Sequence, residues 1–431
     1  MVYVLDSNGQ PLMPTARHGK VRRLLNSRLA KVVKRCPFTI QLLYQSTKET
    51  QPVSLGVDAG SKYIGLAATT EKKVVYQEEL IPRNDVVKLL SARRALRRSR
   101  RSRKTRYRKT RFNNRVRSKH KGWQAPSVEV KIQEHITAIN SVCKILPVSE
   151  IHVETAEFDL QRLKATEEGK PLPVGTDYQL GEQYDFYNTR QYVLHRDGYT
   201  CQCCGTHDNG VKLHVHHIES RQTGGDAPNN LITLCEHCHK ALHEGKIELP
   251  KGKKRGKSHR DAAFMGIMRN TLLERLKKEV DVPVTMTYGY ITKYWREKVG
   301  LKKSHINDAI CISKYPYAKP LDTYYLTKAV RHHNRQIHKA KFGKGGVRKR
   351  NQAPYLVKGF HLFDKVLYRG KSYFIFARRV TGFFDIRTLD GVKVNKGSVS
   401  YKKLRIQDTA KTYLKEVRAI PHMNEFTCVL A

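Results

Sequence analysis

Cys201-Gln202-Cys203-Cys204 opens, and Cys235-Glu236-His237-Cys238-His239 closes, a segment that carries Val215-His216-His217-Ile218 and Asn229-Asn230-Leu231 between its ends. The two Cys-x-x-Cys knuckles, Cys201/Cys204 and Cys235/Cys238, have the spacing of one tetrahedral thiolate site of the structural kind, which implies structural Zn2+. Cys203 lies inside the first knuckle, so which two of those three cysteines bind metal rests on spacing alone. A segment this short builds little core of its own, and a metal staple at its ends would supply what burial cannot. A plain zinc ribbon would need neither the adjacent histidines nor the asparagine.

The arrangement resembles the HNH endonuclease motif, in which a strand ends in Asp-His or His-His, a loop carries Asn, and a short helix follows. The resemblance implies His217 as general base, His216 as the metal ligand beside it, Asn230 at the motif's Asn position and His239 at its closing His. The chemistry is consistent. A neutral imidazole takes a proton from water near neutral pH, and a divalent cation stabilises charge building on a scissile phosphate.

Working outward, the chain has 431 residues, 39% of them hydrophobic, enough for two to four domains with real cores. Its 82 Lys+Arg against 38 Asp+Glu give a net charge of +44. A compact body of that charge repels itself unless polyanions neutralise it, so nucleic acid is the expected partner. A membrane is excluded as the partner on this reading, because no apolar run approaches the length of a span and no amphipathic anchor stands out. The N-terminus lacks the regions of a secretory signal, and the scattered Cys36, Cys143, Cys311 and Cys428 fit a reducing cytoplasm better than a disulfide framework.

N-terminal to the knuckles, a short strand at Val2–Leu5, a turn at Asn8-Gly9, a basic helix within Arg17–Arg35 and a strand at Phe38–Tyr44 make a small basic domain. A strand at Val53–Asp58 ends on Asp58, and a second strand begins at Ile64. From Arg83 to Lys121 there is neither Pro nor Gly, which predicts one long helix. It carries Arg93, Arg94, Arg97, Arg98, Arg100, Arg101, Arg103, Lys104, Arg106, Arg108, Lys109 and Arg111. Like charges at that density destabilise an isolated helix unless phosphates surround it, and Arg suits bidentate phosphate contact. A helix from about Val128 to Ile145 precedes a strand Glu150–Glu154, which ends on Glu154. Polar stretches at Lys164–Thr176 and Pro250–Ser258 flank the knuckles like linkers, making that segment an insertion. A helix at Ala262–Leu276, a strand at Val282–Tyr288 and a helix opening at His305 follow. Beyond about Leu326, short alternating segments predict an all-β, barrel-like tail, with Arg378 and Arg379 among its nucleic-acid candidates.

Asp58, Glu154 and Asp308 each fall at an element boundary, as a two-metal phosphodiester cleavage site requires; His305 shares a helical face with Asp308 and could act on the water. On spacing alone such residues are as readily turns and caps. Val57-Asp58-Ala59-Gly60-Ser61, Val153-Glu154-Thr155 and Ser304-His305-Ile306-Asn307-Asp308-Ala309 look like the three split segments of a RuvC-type nuclease. With Pro11-Leu12-Met13-Pro14, an arginine-rich bridge helix after the first segment and an HNH module after the second, the order of parts is similar to the IscB family, compact transposon-encoded relatives of the type II CRISPR effectors.

That resemblance implies an α/β multidomain fold: a split ribonuclease H-like (RuvC) core, an inserted ββα zinc-bound HNH domain, an arginine-rich bridge helix and a β-rich C-terminal domain. Its expected bounds are 1–50 for the PLMP-type domain, 51–82, 123–180 and 251–325 for RuvC segments I to III, 83–122 for the bridge helix, 181–250 for HNH and 326–431 for the C-terminal domain. It implies a prokaryotic, cytoplasmic RNA-guided DNA endonuclease, a monomer in a ribonucleoprotein with a structured noncoding guide RNA and a double-stranded DNA target. Mg2+ or Mn2+ would serve both nuclease sites, with Asp58, Glu154 and Asp308 as ligands at one and His216 and His239 at the other. An unguided HNH enzyme of the homing or restriction type leaves the three carboxylates unused, and a non-catalytic zinc-containing RNA-binding protein accounts only for the charge and the knuckles.

Overall fold

The computed structural model describes residues 1–47, 49–101, 123–155, 171, 186, 188–207, 210–220, 228–250, 260–331, 344–346, 354–409 and 412–420. The chain divides into two compact units, one of Met1–Glu157 with Met268–Ala431 and one of Phe158–Ile267.

The first unit begins with β1 (Val2–Leu5), β2 (Pro11–Thr15), α1 (His18–Asn26), β3 (Ala30–Lys34) and β4 (Thr39–Leu42), in a sheet of order β2-β1-β4-β3. Val2, Val4, Val21, Ile40 and Leu42 make its core. The Pro-Leu-Met-Pro segment is strand β2, at the sheet edge, where a missing N–H costs no ladder bond. The basic run is not one helix: α1 ends at Asn26, Arg28 turns the chain at φ 55°, and the rest of the run is β3. Helix and edge strand here each bury a single small or branched residue, Val21 and Ala30, so composition could not separate them.

A meander of β5 (Val53–Ala59), β6 (Ile64–Thr69) and β7 (Val74–Ile81) follows, antiparallel throughout. β5 and β6 are largely apolar because both of their faces are covered. Helix α2 (Val86–Arg101) carries Arg93, Arg94, Arg97, Arg98, Arg100 and Arg101. The continuation expected to Lys121, with Arg103, Lys104, Arg106, Arg108, Lys109 and Arg111, lies outside the described residues. After α3 (Pro126–Cys143), β8 (Val148–Thr155) returns parallel to β5.

The second unit contains α4 (Thr189–Arg196), β9 (Leu213–His217), β10 (Leu231–Cys235) and α5 (Glu236–His243), a ββα hairpin entered by a helix. Its expected flanking linkers lie almost wholly outside the described residues. Helix α6 (Arg260–Glu279) then leads to β11 (Val284–Tyr288), α7 (Gly289–Val299), α8 (His305–Ile312) and β12 (Thr323–Ala329).

Strand β11 lies parallel to β8 and β12 parallel to β7. The last strand among the described residues, β18 (Tyr413–Ala419), closes the order β11-β8-β5-β6-β7-β12-β18. Between β12 and β18 a five-stranded antiparallel sheet, β16-β15-β14-β13-β17, is built from β13 (Lys365–Tyr368), β14 (Lys371–Arg378), β15 (Phe383–Arg387), β16 (Val399–Ser400) and β17 (Arg405–Asp408). Its outer strands β16 and β17 do not pair among the described residues, so it is an open sheet rather than the expected barrel. The tail is also not a separate block from Leu326 onward. Leu326 sits inside β12, and β18 (Tyr413–Ala419) pairs back onto β12 antiparallel. A pairing across some ninety residues leaves no trace in local pattern.

Two glycines decide where α8 lies. A Cβ at Gly56 would stand 2.0 Å from the Ala309 carbonyl oxygen, and one at Gly65 would stand 2.0 Å from that of His305. Only bare backbone lets the helix press onto β5 and β6 this closely. We expect Gly65→Ala to cost about 1–3 kcal/mol by overpacking. Gly19→Ala on α1, where a Cβ meets nothing within 4 Å, is the control. Urea unfolding followed by circular dichroism should show the loss in the first variant alone; equal midpoints would refute the close approach.

Candidate functional site

Two groups of chemically competent residues form, one in each unit. In the first, Asp58 near the end of β5 and Glu154 near the end of β8 are in register on neighbouring parallel strands. The seating of α8 on Gly65 brings its first residue, His305, over Asp58, and imidazole meets carboxylate: His305 Nδ1 lies 2.6 Å from Asp58 Oδ2. Ser304 caps this helix, accepting from the Asn307 amide at 3.1 Å. One turn on, Asp308 is 9% exposed and accepts from Arg296 Nη1 at 2.5 Å. Thr292 Oγ1 donates to Glu154 Oε2 at 2.5 Å. Thr292 and Arg296 are four apart on α7, hence on one helical face. Sequence reading missed both, although that spacing behind a glycine was visible.

Burial is the main force raising the Glu154 carboxyl above the usual range; the Thr292 hydroxyl opposes it, and the charges of Asp58 and Asp308 add to it. The hydrogen bond to Asp58 raises His305, against its own desolvation. Tyr63 stacks on the His305 ring, centroids 5.1 Å apart at 22°. From below, α3 steadies the β5–β6 turn: Lys131 Nζ donates to the Ser61 carbonyl at 2.7 Å, and His135 is fully buried. Burial pushes His135 down to about 4, so it is a neutral packing residue.

In the second unit β9 and β10 pair antiparallel with His216 opposite Ile232 and His217 opposite Leu231. The sulfurs of Cys201, Cys204, Cys235 and Cys238 lie within 4.8 Å of one another, Cys204 and Cys235 at 3.7 Å. A tetrahedron with metal–sulfur bonds of about 2.3 Å has edges of roughly 3.8 Å, so the set fits a metal such as zinc. The Cys238 amide donates to the Cys235 sulfur at 3.4 Å, the local bond that closes the second knuckle. Cys203 instead packs against the apolar cluster of Leu213, Ile232 and Leu234.

His216, His239 and His243 form the other close set, their ring nitrogens within 4.8 Å. His239 and His243 share a face of α5, and His214 stacks on His239 at 4.8 Å. His243 was missed, though His239-x-x-x-His243 was there to read at helical spacing. Burial, then the neighbouring His239, His243 and His217, push His216 down to about 4. Its imidazole is therefore neutral near pH 7, the form that binds metal.

Asn230, expected at the motif's Asn position, is fully buried, and its amide accepts from the Glu219 N–H at 2.9 Å and donates to the Glu219 carbonyl at 3.0 Å. These two bonds clamp the hairpin loop that follows the His-His pair. His217, next to His216 at the end of β9, lines an open cavity of about 530 Å³ with Asn188, Arg190, Lys212, His214 and Leu231. Helix α4 holds that wall: Arg190 Nη2 donates to the Leu213 carbonyl at 2.8 Å, and Arg196 Nη2 to that of Leu231 at 2.9 Å.

Arg378, a nucleic-acid candidate in the sequence, is bonded within the protein. Its guanidinium donates to the carbonyls of Tyr355, Phe360 and Pro354 at 2.7, 2.7 and 3.0 Å, so it ties a loop to the five-stranded sheet. Arg379 reaches the Gly397 carbonyl at 3.2 Å. Among the described residues the three carboxylates do not bring ligand atoms within 4.8 Å of one another, Asp58 being engaged by His305 and Asp308 by Arg296. No helix among the described residues is long and apolar enough to cross a membrane.

Residues 2–180 match the RRXRR protein family, and residues 201–245 match the HNH endonuclease family. The chain is IscB-like. Anaredoxin from Nostoc sp. is 28% identical over 67 residues, 15% of the IscB-like chain and 86% of that protein. Among solved structures, Streptococcus thermophilus Cas9 in complex with an AGGA PAM is 16% identical with a TM-score of 0.28, over 44% of this chain and 26% of that one. The type II-C Cas9 enzyme from Actinomyces naeslundii is 12% identical with a TM-score of 0.16, over 61% of this chain and 60% of that one. The IscB-like chain thus spans between about a quarter and a third of the Streptococcus structures, 26% and 31% of two of them. At such scores the likeness carries no argument about the fold, which rests on the strand order and register described above.

Proposed function

We propose that the IscB-like chain is an RNA-guided, metal-dependent DNA endonuclease with two cutting sites, the HNH site for the guide-paired strand and the carboxylate site for the displaced strand. The observation that carries this is the presence of two separate sets of hydrolytic residues in two separate compact units. The order β7-β6-β5-β8-β11, an antiparallel meander extended by parallel strands, supports a ribonuclease H-like (RuvC) core with Asp58, Glu154 and Asp308 as its metal ligands. The HNH unit lies between its second and third pieces. Basic helix α2 and the net charge of +44 suit a guide RNA and a DNA target, where base pairing reads sequence and the protein supplies charge and shape.

At the carboxylate site the donor set fits hard cations: burial first holds the Glu154 carboxyl above the usual range, and the charges of Asp58 and Asp308 add a smaller repulsion that a cation would relieve. Bound there, Mg2+ or Mn2+ would activate water and stabilise the leaving oxygen. His305, oriented by Asp58, takes the water's proton at its far nitrogen; Thr292 and Arg296 hold the two outer carboxylates in place. In the HNH unit His217 accepts the proton of the attacking water, and His216, His239 and His243 would hold the cation beside the phosphate.

Three imidazoles are a different donor set from three carboxylates. Imidazole favours transition ions, and carboxylates favour Mg2+. Within the expected Mg2+ or Mn2+ at both sites, the donor sets favour a split. We expect Mn2+ to support HNH-strand cleavage at concentrations where Mg2+ supports only the other cut; strand-resolved assays in each metal check this, and equal Mg2+ dependence of both cuts would refute it. The overall reading is tested by expressing the chain with its flanking DNA and sequencing the RNA that copurifies. A single structured species with a variable end, required for cleavage, supports guidance. Cleavage without RNA would transfer the activity to an unguided HNH enzyme.

A further inference from the structure

Helix α7 has a second face. Thr292 and Arg296 look inward at Glu154 and Asp308. Tyr290 and Tyr294 are offset from them by two positions, about 200° around the helix, and so look outward. They are 58% and 56% exposed, and Tyr317 beside them is 61% exposed. Large rings left in water at that density contribute nothing to the core, yet they are ordered among themselves. Tyr288 and Tyr290 stack with rings 7° from parallel; Trp295 meets Tyr294 at 5.4 Å and Tyr317 at 6.0 Å. Lys298, one turn beyond Tyr294, lies 5.0 Å over the Trp295 ring and 5.5 Å over that of Tyr294. Lys293, Lys302 and Lys303 are exposed nearby, with Glu297 the one opposing charge on the same helix.

We propose that this face of α7 is a stacking platform for single-stranded DNA, which it delivers to the carboxylate site. Aromatic rings interleaved with lysines suit a strand whose bases are unpaired: each base offers a π face regardless of identity, and the ammonium groups meet the phosphates. An apolar protein partner would call for aliphatic side chains and fewer charges. The route inward passes Gly289, where α7 begins. A Cβ there would stand 3.3 Å from Glu154 Oε1, so the missing side chain leaves clear ground between the tyrosines and the carboxylate. The proposal rests on the carboxylate site being the one that cuts the displaced strand, and it adds how that strand arrives.

Trp295 is a built-in reporter, since the chain has two tryptophans and Trp123→Phe leaves it alone. The full chain in that background is titrated with a short oligothymidylate and with an abasic phosphodiester of equal length, which has the charge without the bases. The oligothymidylate should quench Trp295 emission and the abasic strand should not. Tyr290→Ala with Tyr294→Ala should weaken oligothymidylate binding by roughly tenfold per ring, whereas Tyr290→Phe with Tyr294→Phe should bind as the parent does. Both positions are exposed, and unchanged circular dichroism would confirm that the variants fold. Equal quenching by the abasic strand, unweakened binding by the alanine pair, or tighter binding of oligouridylate than oligothymidylate would overturn the proposal. Loss of stacking with displaced-strand cutting still at the parent rate would overturn delivery. If Asp58→Ala cuts both strands normally while stacking persists, the fault lies in the two-site reading instead.

Discussion

His217→Ala is expected to slow cutting of the guide-paired strand by about a hundredfold to ten-thousandfold, the range for losing a positioned general base, and to leave a nick in the displaced strand. Asp58→Ala should do the converse. It removes an expected metal ligand and the partner that orients His305 at 2.6 Å, so both proton transfer and charge stabilisation fail at one site together. The two residues lie in separate compact units, and each substitution should spare the other unit's cut. Denaturing gels with each DNA strand labelled separately measure both rates. If either single substitution abolished both cuts while RNA and DNA binding persisted, the assignment of one strand to each site would be wrong.

Removing the metal from the four-cysteine set should have the second large effect. The hairpin core in this unit is small, centred on Leu194, Leu213, Ile232 and Leu234 beside the cysteines themselves. Structural Zn2+ binding in small metal-stapled peptides is worth about 10–16 kcal/mol, comparable to the whole stability of an ordinary domain. Cys238→Ala should therefore unfold α4 through α5 and abolish the HNH cut, with the seven-stranded sheet intact and the displaced-strand cut retained. Limited proteolysis should place new cleavages within residues 188–250, and zinc released to a chromogenic chelator should fall to background. Cys203→Ser is the contrasting variant: its side chain packs against the apolar cluster, so zinc content should be unchanged. Zinc lost from Cys203→Ser but kept in Cys204→Ser would reverse the assignment of the first knuckle.

The two sites differ in how far they could be read beforehand. Cysteine knuckles and the His-His pair are local features, and a metal needs its ligands at short, fixed spacings. The hairpin with its Cys201/Cys204 and Cys235/Cys238 set was accordingly legible, as were β5, β8 and α8, whose apolar runs have the right lengths. Legibility failed where a residue's role depends on what lies across from it. Asn230 reads as a motif residue, but its burial and its two bonds to Glu219 make it a clamp. Arg378 reads as a cation for phosphate, but three carbonyls occupy it.

By itself the sequence determined a net charge of +44, a histidine hairpin bounded by two cysteine knuckles with metal-ligand spacing, and which carboxylates end strands, because charge, spacing and periodicity are properties of the chain. The tertiary structure alone decided that Asp58 and Glu154 stand in register, that His305 reaches Asp58 across 247 residues, and that Thr292 and Arg296 hold the other carboxylates. Strand register and the close seating of a helix on Gly56 and Gly65 are set by packing between distant segments, which no local pattern contains.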